Sequence, residues 1–344
     1  MVALSQNLSL GVLLGLAACT ADPKVAEGGF DTEAGGDGSP ATQAAEASSS
    51  GAEAEDESGG EQDRLDVPPS DALGCQKIDF LFVIDNSSSM EDEQQRLIDG
   101  FPGFMQGVQE TIEAFDHHVM VVGTGVRDNP TSFDPCDNLL GAGRVEAFDG
   151  SDCGLLTDVI NGQRYVDEVH EDLDAAFACI ADVGTDGDGD EKTIWAMADS
   201  VTDQVQPGMC NDGFLRDDAI LVVTLITDEE DSPHDAPPHG DTDDNSPGDP
   251  GVWRDGLVAA KGGDDNALVM LALVGDSDLE DGVCEPYDLQ KEGVGAEPAL
   301  RIRELVESLP YGSWTSVCAD NYSDFFNEAV ADIDNACTDF TPPG

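Results

Sequence analysis

The segment KIDFLFVIDNSSSM, residues 77–90, indicates how the chain folds. Its first eight residues form a nearly continuous apolar run that is too short for a helix and is typical of a strand buried on both faces. The run ends at Asp85, where a polar turn with the pattern D-x-S-x-S begins. An amphipathic stretch from about residue 91 to residue 114 follows. The segment therefore predicts a buried strand, a turn rich in side-chain oxygens and a helix, in that order.

The same alternation continues along the chain. Apolar runs predict further strands at 118–122, 219–227, 267–274 and 314–317. Amphipathic patterns predict further helices at 165–180, 191–202, 252–261, 298–308 and 323–336. Because the main strands lack the alternating polar pattern of a one-sided sheet, we predict an α/β fold. It is a doubly wound, largely parallel sheet with helices on both faces, and ligands bind such sheets at the carboxyl ends of the strands.

Oxygen-bearing side chains are predicted to meet at that edge. Asp85, Ser87 and Ser89 follow the first strand, and Asp228 follows the strongest strand. Thr185 lies in a glycine-rich loop just before a predicted helix. Carboxylate and hydroxyl oxygens suit hard cations, so the sequence predicts a site for Mg²⁺, or for Ca²⁺ or Mn²⁺, rather than for zinc.

These residues resemble the metal-ion-dependent adhesion site of the von Willebrand factor A domain family. The family's D-x-S-x-S pattern matches Asp85, Ser87 and Ser89, its threonine best matches Thr185, and its last aspartate matches Asp228. The resemblance implies a doubly wound, Rossmann-like fold. It also implies that the serines and the threonine touch the metal while the two aspartates act partly through water. The open position of the metal then accepts a carboxylate from a protein ligand.

The resemblance covers about residues 76–337, and it leaves alternatives open. The stretch between Thr185 and Asp228 is longer than in compact family members, so Thr193 competes for the threonine's role. We prefer Thr185, because a threonine inside the predicted helix can instead bond backward along it. The serines of the turn can also serve only as helix caps. Asp186, Asp188 and Asp190 resemble the start of an EF-hand loop, although the glycine and the last glutamate of that loop are absent.

The predicted function is metal-dependent binding rather than catalysis, since the sequence has no HExxH, no GxSxG and no Cys/His pair. Two alternatives stay open: a metal-dependent hydrolase on the same sheet, and a structural or interaction protein with a vestigial site. The net charge of −59, from 73 acidic and 14 basic side chains, excludes nucleic acid and anionic lipid headgroups as electrostatic partners. We expect the partner to be a protein that presents an acidic side chain.

Three regions are predicted: a signal peptide over 1–18, a disordered acidic linker over 19–72 and the folded domain over 73–340. The residues before Cys19 resemble a bacterial lipobox, so we expect Cys19 to carry a lipid that is the chain's only link to a membrane. The alternative is an ordinary secretory signal. Because Thr20 is not an aspartate, we favour the outer membrane, with the domain in the periplasm or on the cell surface.

The other eight cysteines are an even number, which indicates disulfides in an exported domain. The pairs that we expect are Cys136–Cys153, Cys179–Cys210, Cys284–Cys318 and Cys75–Cys337.

Overall fold

A computed structural model of the chain describes residues 75–112, 116–125, 134–155, 162–187, 191–231, 246–287 and 294–343. The predicted signal peptide, the linker and Cys19 lie outside the described residues, as do Asp188 and Asp190. Within the described residues, no helix is long and apolar enough to cross a membrane.

Six strands form one sheet in the order β3-β2-β1-β4-β5-β6. Their bounds are β1 Lys77–Ile84, β2 Asp116–Gly123, β3 Val166–Asp167, β4 Ile220–Ile226, β5 Leu268–Val274 and β6 Tyr311–Ser316. All neighbouring strands pair in parallel except β3, which pairs antiparallel with β2 at the edge. The prediction of a largely parallel α/β sheet is confirmed.

Helices cover both faces of this sheet. Their bounds are α1 Glu91–Thr111, α2 Leu173–Ala181, α3 Thr193–Val201, α4 Pro250–Ala260, α5 Leu300–Glu307 and α6 Ser323–Asp339, with short 3₁₀ turns at Pro135–Asn138 and Asp265–Ala267. Phe80 and Phe82 of β1 belong to a core that also holds α1, α2 and α6. Leu81 and Val83 belong to a second core with α3, α4 and α5. The continuous apolar runs of the sequence are thus explained, because both faces of each central strand are buried.

One predicted helix is wrong over its first half. Residues 165–180 were expected to be helical, but Val166 extends the sheet by pairing with Val119. The helix begins only at Leu173, because the Asp172 carboxylate accepts a hydrogen bond from the backbone N–H of Ala175 and caps it there.

The structure contains four disulfides. The Cys75–Cys337 and Cys284–Cys318 pairs are confirmed. The other two predicted pairs are wrong, since the structure joins Cys136 to Cys210 and Cys153 to Cys179.

Each of the two wrong pairs joins cysteines that are consecutive in the sequence, whereas the observed pairs do not. Asn211, next to Cys210, bonds through its side chain to the backbone of Gly141 and Gly143, and this contact brings Cys210 to the segment that follows Cys136. Four disulfides indicate an oxidising environment, either extracellular or in a cell envelope.

Candidate metal site at the carboxyl edge of the sheet

Asp85 stands at the end of β1 with its side chain completely buried. One carboxylate oxygen accepts a hydrogen bond of 2.7 Å from the backbone N–H of Ser87. The other accepts one of 2.6 Å from the Thr227 hydroxyl at the end of β4. These two bonds fix the carboxylate between two neighbouring strand ends. Thr227 was not among the site residues predicted from the sequence, although it directly precedes Asp228.

The two serines of the turn and Asp228 lie beside Asp85. The Ser87 and Ser89 hydroxyl oxygens are 3.1 Å apart. The Ser89 side chain also hydrogen-bonds to Asp228, which is only 4% exposed. The structure therefore brings together four of the five predicted site residues through direct contacts.

The electrostatics of this cluster are unfavourable without a counter-ion. Burial, followed by the nearby charge of Asp85, raises the pKa of Asp228 from 3.8 to about 7. Burial also raises the pKa of Asp85, with a smaller contribution from the charge of Glu93. In the described part of the chain, Oδ1 of Asp228 is buried and has no hydrogen-bond partner. An oxygen in that position loses its hydration without gaining a donor.

Thr185 lies in a loop that is anchored to the Asp85 turn on both sides. The Gln94 amide donates hydrogen bonds of 2.8 Å to the backbone oxygens of both Asp85 and Gly184. The backbone N–H of Gly187 donates to the Asn86 oxygen at 2.9 Å. Thr185 is therefore held next to the D-x-S-x-S turn.

Thr193 keeps its place as the alternative. It is the first residue of α3, so it has no preceding helical turn to which its hydroxyl could bond. The reason for preferring Thr185 on that ground does not hold in this fold. The Asp231 carboxylate accepts a hydrogen bond of 2.8 Å from the N–H of Ile194 and fixes the start of α3. Both threonines are therefore candidates for the same role.

A cleft of about 240 Å³ opens beside the cluster, lined by Ser89, Asp228, Glu93, Arg96, Val283, Glu285, Val294, Gly295 and Cys318. Four of these residues belong to the segment between β5 and α5, residues 275–299. The metal-site residues predicted from the sequence include none from this segment. The length of the β5–α5 segment and its cysteine were the signals that could have identified it.

The donor set fits a hard divalent cation. Two buried carboxylates have raised pKa values, and one of their four oxygens is unpaired. Together with the two neighbouring hydroxyls they offer the oxygen ligands that such a cation prefers. Among the described residues, no group of three or more His, Cys, Asp or Glu side chains is arranged to hold a metal ion. The predicted set includes only two such residues and is completed by hydroxyls.

No family model matches the chain, and no curated protein matches it. One similar solved structure is proximal thread matrix protein 1 from the mussel byssus, with 13% sequence identity and a TM-score of 0.37. The match covers 77% of this chain and 49% of the mussel chain, so this chain spans about half the length of that protein.

Proposed function

We propose that the chain is an exported, lipid-anchored binding protein of the von Willebrand factor A type. It holds Mg²⁺, or Ca²⁺ or Mn²⁺, with Asp85, Ser87, Ser89, Thr185 and Asp228. Through that cation it binds an acidic side chain of a partner protein. The observation that carries the proposal is the buried, unpaired Oδ1 of Asp228 beside the buried carboxylate of Asp85.

The side chains of the site have separate tasks in this proposal. Thr227 and the N–H of Ser87 hold the Asp85 carboxylate in one orientation. The hydroxyls of Ser87 and Ser89 offer two neutral oxygens. A bound cation supplies the positive charge that the cluster lacks and attracts a carboxylate from outside.

The charge of the whole chain supports a bridging cation. A partner carboxylate that approaches a protein of net charge −59 is repelled unless a positive charge lies at the contact. The four disulfides support an exported domain, and lipidation at Cys19 is the proposed means of attachment to the outer membrane. The proposal assigns no catalytic residue.

Calorimetric titration of the disulfide-intact protein with MgCl₂, MnCl₂ and CaCl₂ tests the site. We expect a single binding site that is lost in Asp85→Ala. The exposed Asp281→Ala is the matched control and should bind like the wild type. Equal binding by Asp85→Ala and the wild type, or no binding by the wild type, would contradict the proposal.

The partner can then be sought by capture from envelope extracts in Mg²⁺ with release by EDTA. Capture that is specific to the wild type and absent with Asp85→Ala supports binding through the cation. Metal-dependent turnover of phosphate or peptide substrates would instead favour the hydrolase.

A further inference from the structure

Glu93 lies in the first turn of α1 and lines the same cleft as Ser89 and Asp228. Its Oε2 is buried and, among the described residues, has no hydrogen-bond partner. The cleft thus contains two unpartnered carboxylate oxygens, one from Glu93 and one from the 4% exposed Asp228. The predicted site included only the second of these residues.

Arg96 fixes the orientation of the Glu93 carboxylate. Its Nη1 donates to Oε1 of Glu93 at 3.1 Å and to the backbone oxygen of Val317 at 3.3 Å. The Tyr322 hydroxyl lies 3.5 Å from the same nitrogen and donates to the Val317 oxygen at 2.7 Å. The anchored guanidinium therefore binds one oxygen of Glu93 and leaves the other in the cleft.

Glu93 therefore shares its cleft with one of the two assigned carboxylates, Asp228. The ion pair between Glu93 and Arg96 needs only one oxygen of the Glu93 carboxylate. The pair alone therefore does not explain why the second oxygen is buried without a partner.

Resting on the proposed function, we infer that Glu93 is a third carboxylate of the metal site, with Arg96 as its positioning residue. No three carboxylates of the described chain converge on one ion, so Glu93 acts by its charge and through a water molecule. A third carboxylate strengthens cation binding. Because a charge that acts through water adds no ligand oxygen, it strengthens the binding of Mg²⁺ and of Ca²⁺ alike.

The test compares wild type, Glu93→Gln and Glu285→Gln, the last being an exposed carboxylate of the same cleft. Calorimetric titrations with MgCl₂ and with CaCl₂ should show that Glu93→Gln binds each ion roughly tenfold more weakly than the wild type does. Glu285→Gln should change affinity by less than about twofold, since exposed charges are screened. In EDTA, Glu93→Gln should melt at a higher temperature than the wild type, because one of three mutually repelling carboxylates is removed.

The outcomes separate this inference from the proposed function. A wild type that binds no cation refutes the proposed function. Wild-type binding that is unchanged in Glu93→Gln refutes the role of Glu93 and leaves the proposed function intact. A Glu93→Gln protein that melts at a lower temperature than the wild type in EDTA shows a purely structural residue, and this also overturns the inference.

Discussion

Replacing Asp228 by asparagine should stabilise the metal-free protein at alkaline pH. The folded state raises the pKa of this carboxyl from 3.8 to about 7, so the folded chain holds a proton that the unfolded chain releases between these pH values. Stability therefore falls as the pH rises from about 4 to about 7 and is constant above that range. Asparagine resembles the protonated form and avoids this loss.

The magnitude follows from the two pKa values. A difference of about 3 pH units at 1.36 kcal/mol per unit gives up to about 4 kcal/mol in favour of Asp228→Asn at pH 8. At pH 5, which lies only a little above the unfolded pKa, the wild type has lost about 1.5 kcal/mol of stability. Mg²⁺ at one hundred times the dissociation constant adds about 2.7 kcal/mol to the wild type alone, so it should reduce the advantage of Asp228→Asn at pH 8 from about 4 to about 1–2 kcal/mol.

Urea denaturation in EDTA at pH 5 and pH 8, with disulfides intact, measures these differences. Asp281→Asn is the control, as an exposed carboxyl that should leave the free energy of unfolding nearly unchanged at both pH values. The reasoning is refuted if Asp228→Asn is the less stable protein at pH 8 in EDTA. It also fails if the difference between the proteins is the same at pH 5 and pH 8.

Four further predictions concern the surroundings of the site and the disulfides. Gly187→Ala places a Cβ 2.5 Å from the side chain of Asn86 in the D-x-S-x-S turn. It should lower the free energy of unfolding by about 1–3 kcal/mol in thermal unfolding and weaken Mg²⁺ binding in calorimetry. The Cβ that Gly103→Ala adds on α1 has no neighbour within 4 Å, so we expect stabilisation by about 0.5–1 kcal/mol. If Gly103→Ala were destabilised as much as Gly187→Ala, a steric clash would not explain the effect at Gly187. Gln94→Leu leaves the buried backbone oxygens of Asp85 and Gly184 without their donor, so we expect about 1–3 kcal/mol of destabilisation. The charge of the site does not change, but its Mg²⁺ affinity should fall. Unaltered affinity would show that the loop of Thr185 does not contribute to binding. Peptide mapping without reduction should recover Cys153 linked to Cys179, and a Cys136-containing peptide linked to Cys153 would contradict the structure. Replacing both Cys153 and Cys179 by serine should lower the free energy of unfolding in urea by about 3 kcal/mol.

The sequence predicts the sheet well because its signal is local. An unbroken apolar run such as residues 219–227 indicates a strand buried on both faces, and the first polar residue after it marks the carboxyl edge. Asp85 and Asp228 could be assigned in this way. The two aspartates come together because β1 and β4 are neighbours in the sheet.

The contacts that complete the site are not local. In the sequence, Glu93 and Gln94 resemble ordinary polar residues of a first helical turn. Only the packing of α1 against the sheet shows that Glu93 faces the cleft and that Gln94 is 5% exposed between two loops. The disulfide pairs Cys136–Cys210 and Cys153–Cys179 likewise depend on where separate segments meet. Neither periodicity nor spacing in a single sequence contains that information.

The disulfide between Cys75 and Cys337 has a mechanical consequence. It joins the start of the domain to α6, so an external force on the linker enters the domain at Cys75, two residues before β1. At its other end, β1 leads directly into Asp85. For a domain tethered and loaded as proposed, the disulfide divides the tension between α6 and β1, and β1 must be sheared, not peeled, because parallel neighbours hold it by hydrogen bonds on both sides.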